Sequence, residues 1–279
     1  MPVPKKLPNL TPTQVVELQD ELLANADRLL KSALAVLDLG HVGLARSLAI
    51  LGMEESGKAI AVHERCVQMA YAPEGEPFVN ARLENLWARH QEKLELVHDF
   101  LTQEKYWFGT EPPDPQANRT YLGTIKAWAH RHNALKQRGF YVDVDEAGSV
   151  LSPTGVLEEK SLGQVINHVH QIGWQLRLGE HIEAKQQAEA ARGIPAASET
   201  EIERMRELYS DLPGAEPDES FFDSMRQGQA GTPLKNDAYR LHLPGADANS
   251  FKNFGKPGYE AETRELLQLA EELDGQEKQ

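Results

Sequence analysis

The stretch Ala45–His63, ARSLAILGMEESGKAIAVH, constrains the fold more than any other part of the chain. Read as a helix at about 100° per residue, it places Leu44, Leu48, Leu51, Glu55, Lys58 and Val62 on one side. A carboxylate and an ammonium therefore share a row with leucines, and Glu54 stands one step round, at i,i+4 spacing to Lys58. Burying an unpaired charge costs on the order of several kcal/mol, so these groups need partners or a wet cleft. A second stripe, Ala45, Ala49, Gly52, Ser56 and Ala59, holds only small residues and lets another helix approach closely. The charged row reads in two ways: an internal ion pair that fixes helix register, or a functional polar site roofed by helices.

The rest of the chain supplies the helices. Thr11-Pro12-Thr13-Gln14 has Thr at the N-cap, Pro at the first helical position and Gln at the capping-box position. That helix runs to about Leu39 and stops at Gly40, and the second runs from His41 or Val42 to Tyr71, before Pro73. A tight turn between two long helices makes an antiparallel hairpin. A third helix is predicted over Asn80–Phe108 with Leu83, Leu86, His90, Leu94, Val97 and Leu101 as its buried stripe, which puts His90 on an apolar face and Lys93 one turn along. Gly109–Asn118 reads as loop.

A fourth helix over Arg119–Arg138 carries Arg119, Lys126, Arg131, Lys136 and Arg138 with His130 and His132 and no acid, then breaks at Gly139 into the alternating FYVDVD. It is either a solvated face or an electropositive wall able to meet phosphates. A fifth helix covers about Glu158–Arg192. The predicted fold is all-α: an antiparallel bundle of long helices over residues 10–192, followed by an irregular, partly helical arm over residues 193–279. In the arm, short helices are predicted at Ser198–Asp211 and Tyr259–Leu273. Leu208, Tyr209, Phe221, Phe222, Phe251 and Phe254 are too many large apolar residues for disorder, so the arm should pack on the body or on a second subunit.

Composition narrows the function classes. The net charge of −14 is uneven: residues 1–194 carry 20 basic and 25 acidic side chains, residues 195–279 carry 9 and 18. An acidic tail disfavours non-specific nucleic-acid binding without excluding a basic pocket in the first part. The one cysteine, Cys66, fits a reducing compartment. The start MPVPKKLPNL lacks the apolar core of a signal peptide, and the apolar window Ala33–Gly52 is broken by Asp38, His41 and Arg46, so a cytoplasmic protein without a membrane span is expected. No Gly-rich phosphate loop, CxxC, HExxH or nucleophile elbow is present. A di-metal carboxylate bundle needs Glu-x-x-His on two helices; Glu95–His98 is the one such pair, and Lys58 occupies the place of a ligand. Neither a metal nor a cofactor is expected.

Three segments together resemble the AbiV family of abortive infection proteins. Asn25-Ala-Asp-Arg-Leu-Leu leading into Ala45–Lys58 resembles that family's opening helix pair; Trp87-Ala-Arg-His90-Gln-Glu-Lys93 is similar to its third helix; Leu135-Lys-Gln-Arg138-Gly-Phe-Tyr141-Val-Asp143 is similar to its Arg-x-x-Tyr-Val-Asp segment. The likeness covers about residues 10–190 and leaves the arm unexplained. It implies a helical HEPN-type domain (higher eukaryotes and prokaryotes nucleotide-binding), a role in bacterial defence against phage, and dimerisation. Many HEPN domains cleave RNA without metal through Arg-x(4–6)-His. This chain departs from that pattern, its nearest spacings being Arg177-x(3)-His181 and Arg82-x(7)-His90.

Metal-free RNA cleavage needs a base near the 2′-hydroxyl and cations to bear the phosphorane charge. His90 could supply the base and Lys58, Lys93, Arg131 and Arg138 the cations. Glu55, beside Glu54, would orient and balance them, and Tyr141 and Asp143 would close the pocket. The same residues serve equally as a polar network bracing the bundle. The alternative function is a non-enzymatic defence protein that binds a phage protein or a translation component through the body or the arm.

Overall fold

In a computed structural model, the structure describes residues 7–107, 111–155, 160–210, 218–241, 252–260, 263–264 and 266–268. Helix α1 (Pro12–Asp38) starts at the capping box: Thr11 Oγ1 accepts from Gln14 N at 3.3 Å, and Gln14 Oε1 accepts from Thr11 N at 3.0 Å. Gly40, at φ +81°, makes the turn into α2 (Val42–Tyr71), and the pair is an antiparallel hairpin. Helix α2 is the central helix, with α1, α4 (His90–Gln103), α6 (Ile125–Phe140) and α7 (Lys160–Arg192) packed around it.

The small stripe of α2 is fully buried and meets α1: a Cβ on Gly52 would lie 3.2 Å from the Ala26 carbonyl oxygen. Two other close approaches fix the helices that carry the site. A Cβ on Gly57 would come within 2.7 Å of the Lys93 carbonyl oxygen on α4, and one on Gly139 of α6 within 2.0 Å of Gly43 O and Ser47 Oγ on α2. Ser47 Oγ donates to Lys136 O at 2.8 Å, pinning α6 at the same level.

The leucine row of α2 is not its core face. Leu44, Leu48, Leu51, Glu55 and Lys58 are all half-buried and only Val62 at the end of the row is enclosed, whereas Ile50, Met53 and Ile60 on the other faces are enclosed. The helix is wrapped on nearly every side, so the row that keeps some solvent is where charges can sit at little cost. Glu54, one step round, is by contrast enclosed.

The predicted third helix is two. Helix α3 (Ala81–Ala88) ends at Arg89, which is extended at φ −121° and ψ 116°, and α4 begins at His90. This break takes His90 off the apolar stripe that continuous periodicity assigned to it, and its side chain is 59% exposed, while Leu83, Leu86, Leu94, Val97 and Leu101 are buried as predicted. The predicted fourth helix is also two. Asp114 caps α5 (Pro115–Leu122), accepting from Gln116 N and Ala117 N, so helix begins inside the segment read as loop, and Gly123 at φ +83° separates α5 from α6. Of the extended segment after α6, β1 (Asp143–Val144) pairs antiparallel with β2 (Val150–Leu151) in a two-stranded hairpin.

The arm lies against α1, the end of α2 and α7. It contains α8 (Glu199–Ser210) and α9 (Glu219–Gln227), the latter capped by Asp218 and not anticipated. The amides of Lys235 and Asn236 donate to the Ala70 carbonyl, the Tyr239 ring stacks on the buried Phe78 ring at 5.8 Å, and Lys256 pairs with Asp20 at 2.9 Å. The predicted last helix over 259–273, the start of the fifth helix and Phe251 lie wholly or mostly outside the described residues. Among the described residues no helix is long and apolar enough to cross a membrane.

Candidate functional site

The site is built on Glu54, which α2 holds at the level where Gly57 lets α4 close in and Gly139 does the same for α6. Its side chain is enclosed, at 2% exposure, and both carboxylate oxygens are used. Oε1 accepts from the ammonium of Lys136, itself 3% exposed, on α6. Oε2 lies 2.5 Å from Nδ1 of His90 at the head of α4. A carboxylate bonded to an ammonium is an acceptor, so Nδ1 carries the proton and donates it, and Nε2 of this exposed imidazole is the nitrogen that can take up another.

Further charges surround this axis. Lys58 pairs with Glu55 at 2.6 Å, and its ammonium lies over the Trp87 ring of α3, 5.3 Å from the centroid. Lys93 is buried one turn into α4. Burial, and then repulsion from Lys58, lowers the proton affinity of its amine below the usual lysine range, while Glu54 and Glu55 pull it back. With three lysines against two carboxylates, the cluster carries an excess positive charge beside an imidazole. That set can take a proton from a hydroxyl and attract a phosphate. Among the described residues no group of His, Cys, Asp and Glu converges as a metal site.

The residues picked from the sequence fall into two groups. Glu54, Glu55, Lys58, His90 and Lys93 come together at the α2–α4 contact. Arg138, Tyr141 and Asp143 do not join them: they are exposed and line a separate open cavity of about 780 Å³ between the end of α6 and the hairpin. Arg131 is exposed on the outer side of α6. The reason is helical phase. Trp128, Ala129, His132, Lys136 and Gly139 form the buried face of α6, and Arg131 and Arg138 point away from it. Sequence reasoning missed Lys136 as a site residue, and the signal that finds it is its place at i+4 from His132 and i+8 from Trp128. Trp87 was passed over as well, though it precedes His90 by three positions.

The described residues form a helical bundle with a charged cluster at the contact of its central helix with α4 and α6. A model of the AbiV family of HEPN proteins matches residues 14–174, and the chain belongs to that family. No curated protein and no solved structure matches the chain.

Proposed function

We propose that this protein acts in abortive infection, the defence against phage to which AbiV membership points, and that its output is metal-independent cleavage of RNA at His90. One observation carries the reading: the Lys136–Glu54–His90 chain fixes an exposed imidazole by its Nδ1 and leaves Nε2 facing outward. In the reaction, Nε2 takes the proton of a ribose 2′-hydroxyl as its oxygen attacks the adjacent phosphorus; the bond to the 5′-oxygen breaks, that oxygen takes a proton from water, and a 2′,3′-cyclic phosphate and a 5′-hydroxyl are left. Lys58 and Lys93 bear the charge that gathers on the phosphorane, Glu55 holds Lys58 in place, and the Trp87 ring offers a face on which a base can stack. Arg138 and Arg131, outside the cluster, are assigned to the path of the strand over α6, with Tyr141 and Asp143 along the neighbouring cavity. Assembly as a homodimer belongs to the same proposal, supported by the exposed Tyr141, Val142, Val144 and Val150 around the hairpin.

The test is purified protein with total RNA in the presence of EDTA. Cleavage that survives EDTA and is lost in His90→Ala and Lys58→Ala supports the mechanism; wild type and both variants behaving alike, with no cleavage above background, rejects it. RNA binding without cleavage would favour the non-enzymatic reading.

A further inference from the structure

The three lysines of the cluster are not alike. Lys136 donates to Glu54, and Lys58 donates to Glu55 at 2.6 Å. Lys93 is only 5% exposed, yet its ammonium makes no hydrogen bond and no ion pair among the described residues. Nor is it sealed: the Lys93 nitrogen keeps contact with solvent, whereas Nδ1 of His63 on α2 is cut off from water and has no partner. An enclosed lysine normally brings a counter-ion with it, and this one has none.

Packing puts it there. Helix α4 closes on α2 at Gly57, which sets the Lys93 backbone against the position just before Lys58. Burial and then the Lys58 charge lower the proton affinity of the Lys93 amine, Glu54 and Glu55 raise it, and Lys136 lowers it again. Neither carboxylate is free to answer it: Glu54 is bonded to Lys136 and His90, and Glu55 to Lys58. Helix α4 also begins at His90 with no side-chain cap, so the positive end of its dipole is open one turn from Lys93. Two neighbouring ammonium groups, of which one is paired, lack an anion, and a tetrahedral dianion has oxygens enough to accept from both.

We propose that Lys93 and Lys58 hold a phosphate dianion as a stable ligand, either the free ion or the terminal phosphate of an RNA strand, and that this ligand competes with the RNA to be cut. The competition rests on the cleavage reading above; the binding does not. It is tested by calorimetric titration of the full chain with sodium phosphate in about 150 mM sodium chloride, where diffuse attraction is screened. Uridine 3′-monophosphate and uridine are titrated in parallel. Phosphate should bind one site with a Kd on the order of 1 mM or tighter. Lys93→Met should weaken it by about tenfold or more, as loss of a charge-assisted contact does, and Lys93→Gln serves the same end if that variant fails to fold. Lys185→Met, an exposed lysine on α7, should change nothing. Phosphate at about ten times its Kd should raise the melting temperature of the wild type and leave that of Lys93→Met where it was, a difference that an ammonium merely bracing the bundle would not produce. Tighter binding of uridine 3′-monophosphate than of free phosphate assigns the ligand to a strand end, and the reverse assigns it to the ion. In the cleavage assay phosphate should raise KM and leave kcat unchanged. Absence of saturable phosphate binding, unchanged affinity in Lys93→Met, or binding of uridine as tight as that of its 3′-monophosphate overturns the proposal. Because the titration contains no RNA strand, its failure is distinct from a failure of cleavage at His90.

Discussion

His90 Nδ1 stands 2.5 Å from Glu54 Oε2 across the contact of α4 with α2, an exposed ring tied to a fully enclosed carboxylate. The pairing depends on the chain breaking at Arg89: it makes His90 the first residue of a helix held at Gly57, so the ring reaches inward with one nitrogen and outward with the other.

His90→Ala should reduce RNA cleavage by about 10²–10⁴-fold, the span usually supplied by a positioned base. Glu54→Gln should also reduce it, because an amide can present its NH₂ to Nδ1 and no longer fixes the tautomer. Single-turnover cleavage of a defined RNA, with circular dichroism to confirm folding, checks both.

Lys136→Met should destabilise the protein by roughly 3–5 kcal/mol, because it strips an enclosed carboxylate of its ammonium. The double variant Glu54→Gln with Lys136→Met should recover part of that loss. Urea denaturation of the four proteins in the cycle measures the coupling.

Gly139→Ala should cost about 1–3 kcal/mol or more, since the added methyl would lie 2.0 Å from Gly43 O and backbone must move. The Ser47–Lys136 hydrogen bond lies at the same contact. Cleavage should therefore fall together with melting temperature.

Stability should drop on acidification. Burial pushes His63 and His132 each down to about 4; Glu183, Lys105 and Arg177 surround the first, and Arg131, His168 and Arg46 the second. Both native values lie below the unfolded value of about 6.5, so the unfolded chain takes up protons that the native state refuses. Stability is full above pH ~6.5 and is lost toward pH ~4, with about 2 kcal/mol withdrawn by each group at pH 5. Melting at pH 7 and pH 5 should show the difference, and His132→Gln should make it smaller.

Tyr239→Ala should loosen the arm. The ring stacks on Phe78 and its hydroxyl donates to Leu10 O at 3.4 Å, so truncation should cost about 3 kcal/mol. Limited proteolysis should then cut near residues 230–241 faster. Cleavage should be unaffected, because the described contacts of the arm run to α1, α2 and α7 and not to His90.

The amino-acid sequence by itself determined the helical hairpin and the close approach of its helices. Thr11 to Gln14, Gly40 and Pro73 are local signals, and the small stripe of α2 is legible from spacing alone. The same spacing picked out the polar residues of α2 and the pair His90 and Lys93, and the ordered motifs pointed to the family whose model matches the chain. Two breaks escaped it. Arg89 carries no glycine or proline signal, and periodicity read through Gly123 as though the helix continued. Tertiary packing alone decided which face of α2 stays wet, that Lys136 rather than Arg138 turns in to meet Glu54, and that His63 is left with an unanswered nitrogen. A helix fixes the angle between its own side chains, but which of those directions meets water or a charge is set by the neighbours packed around it.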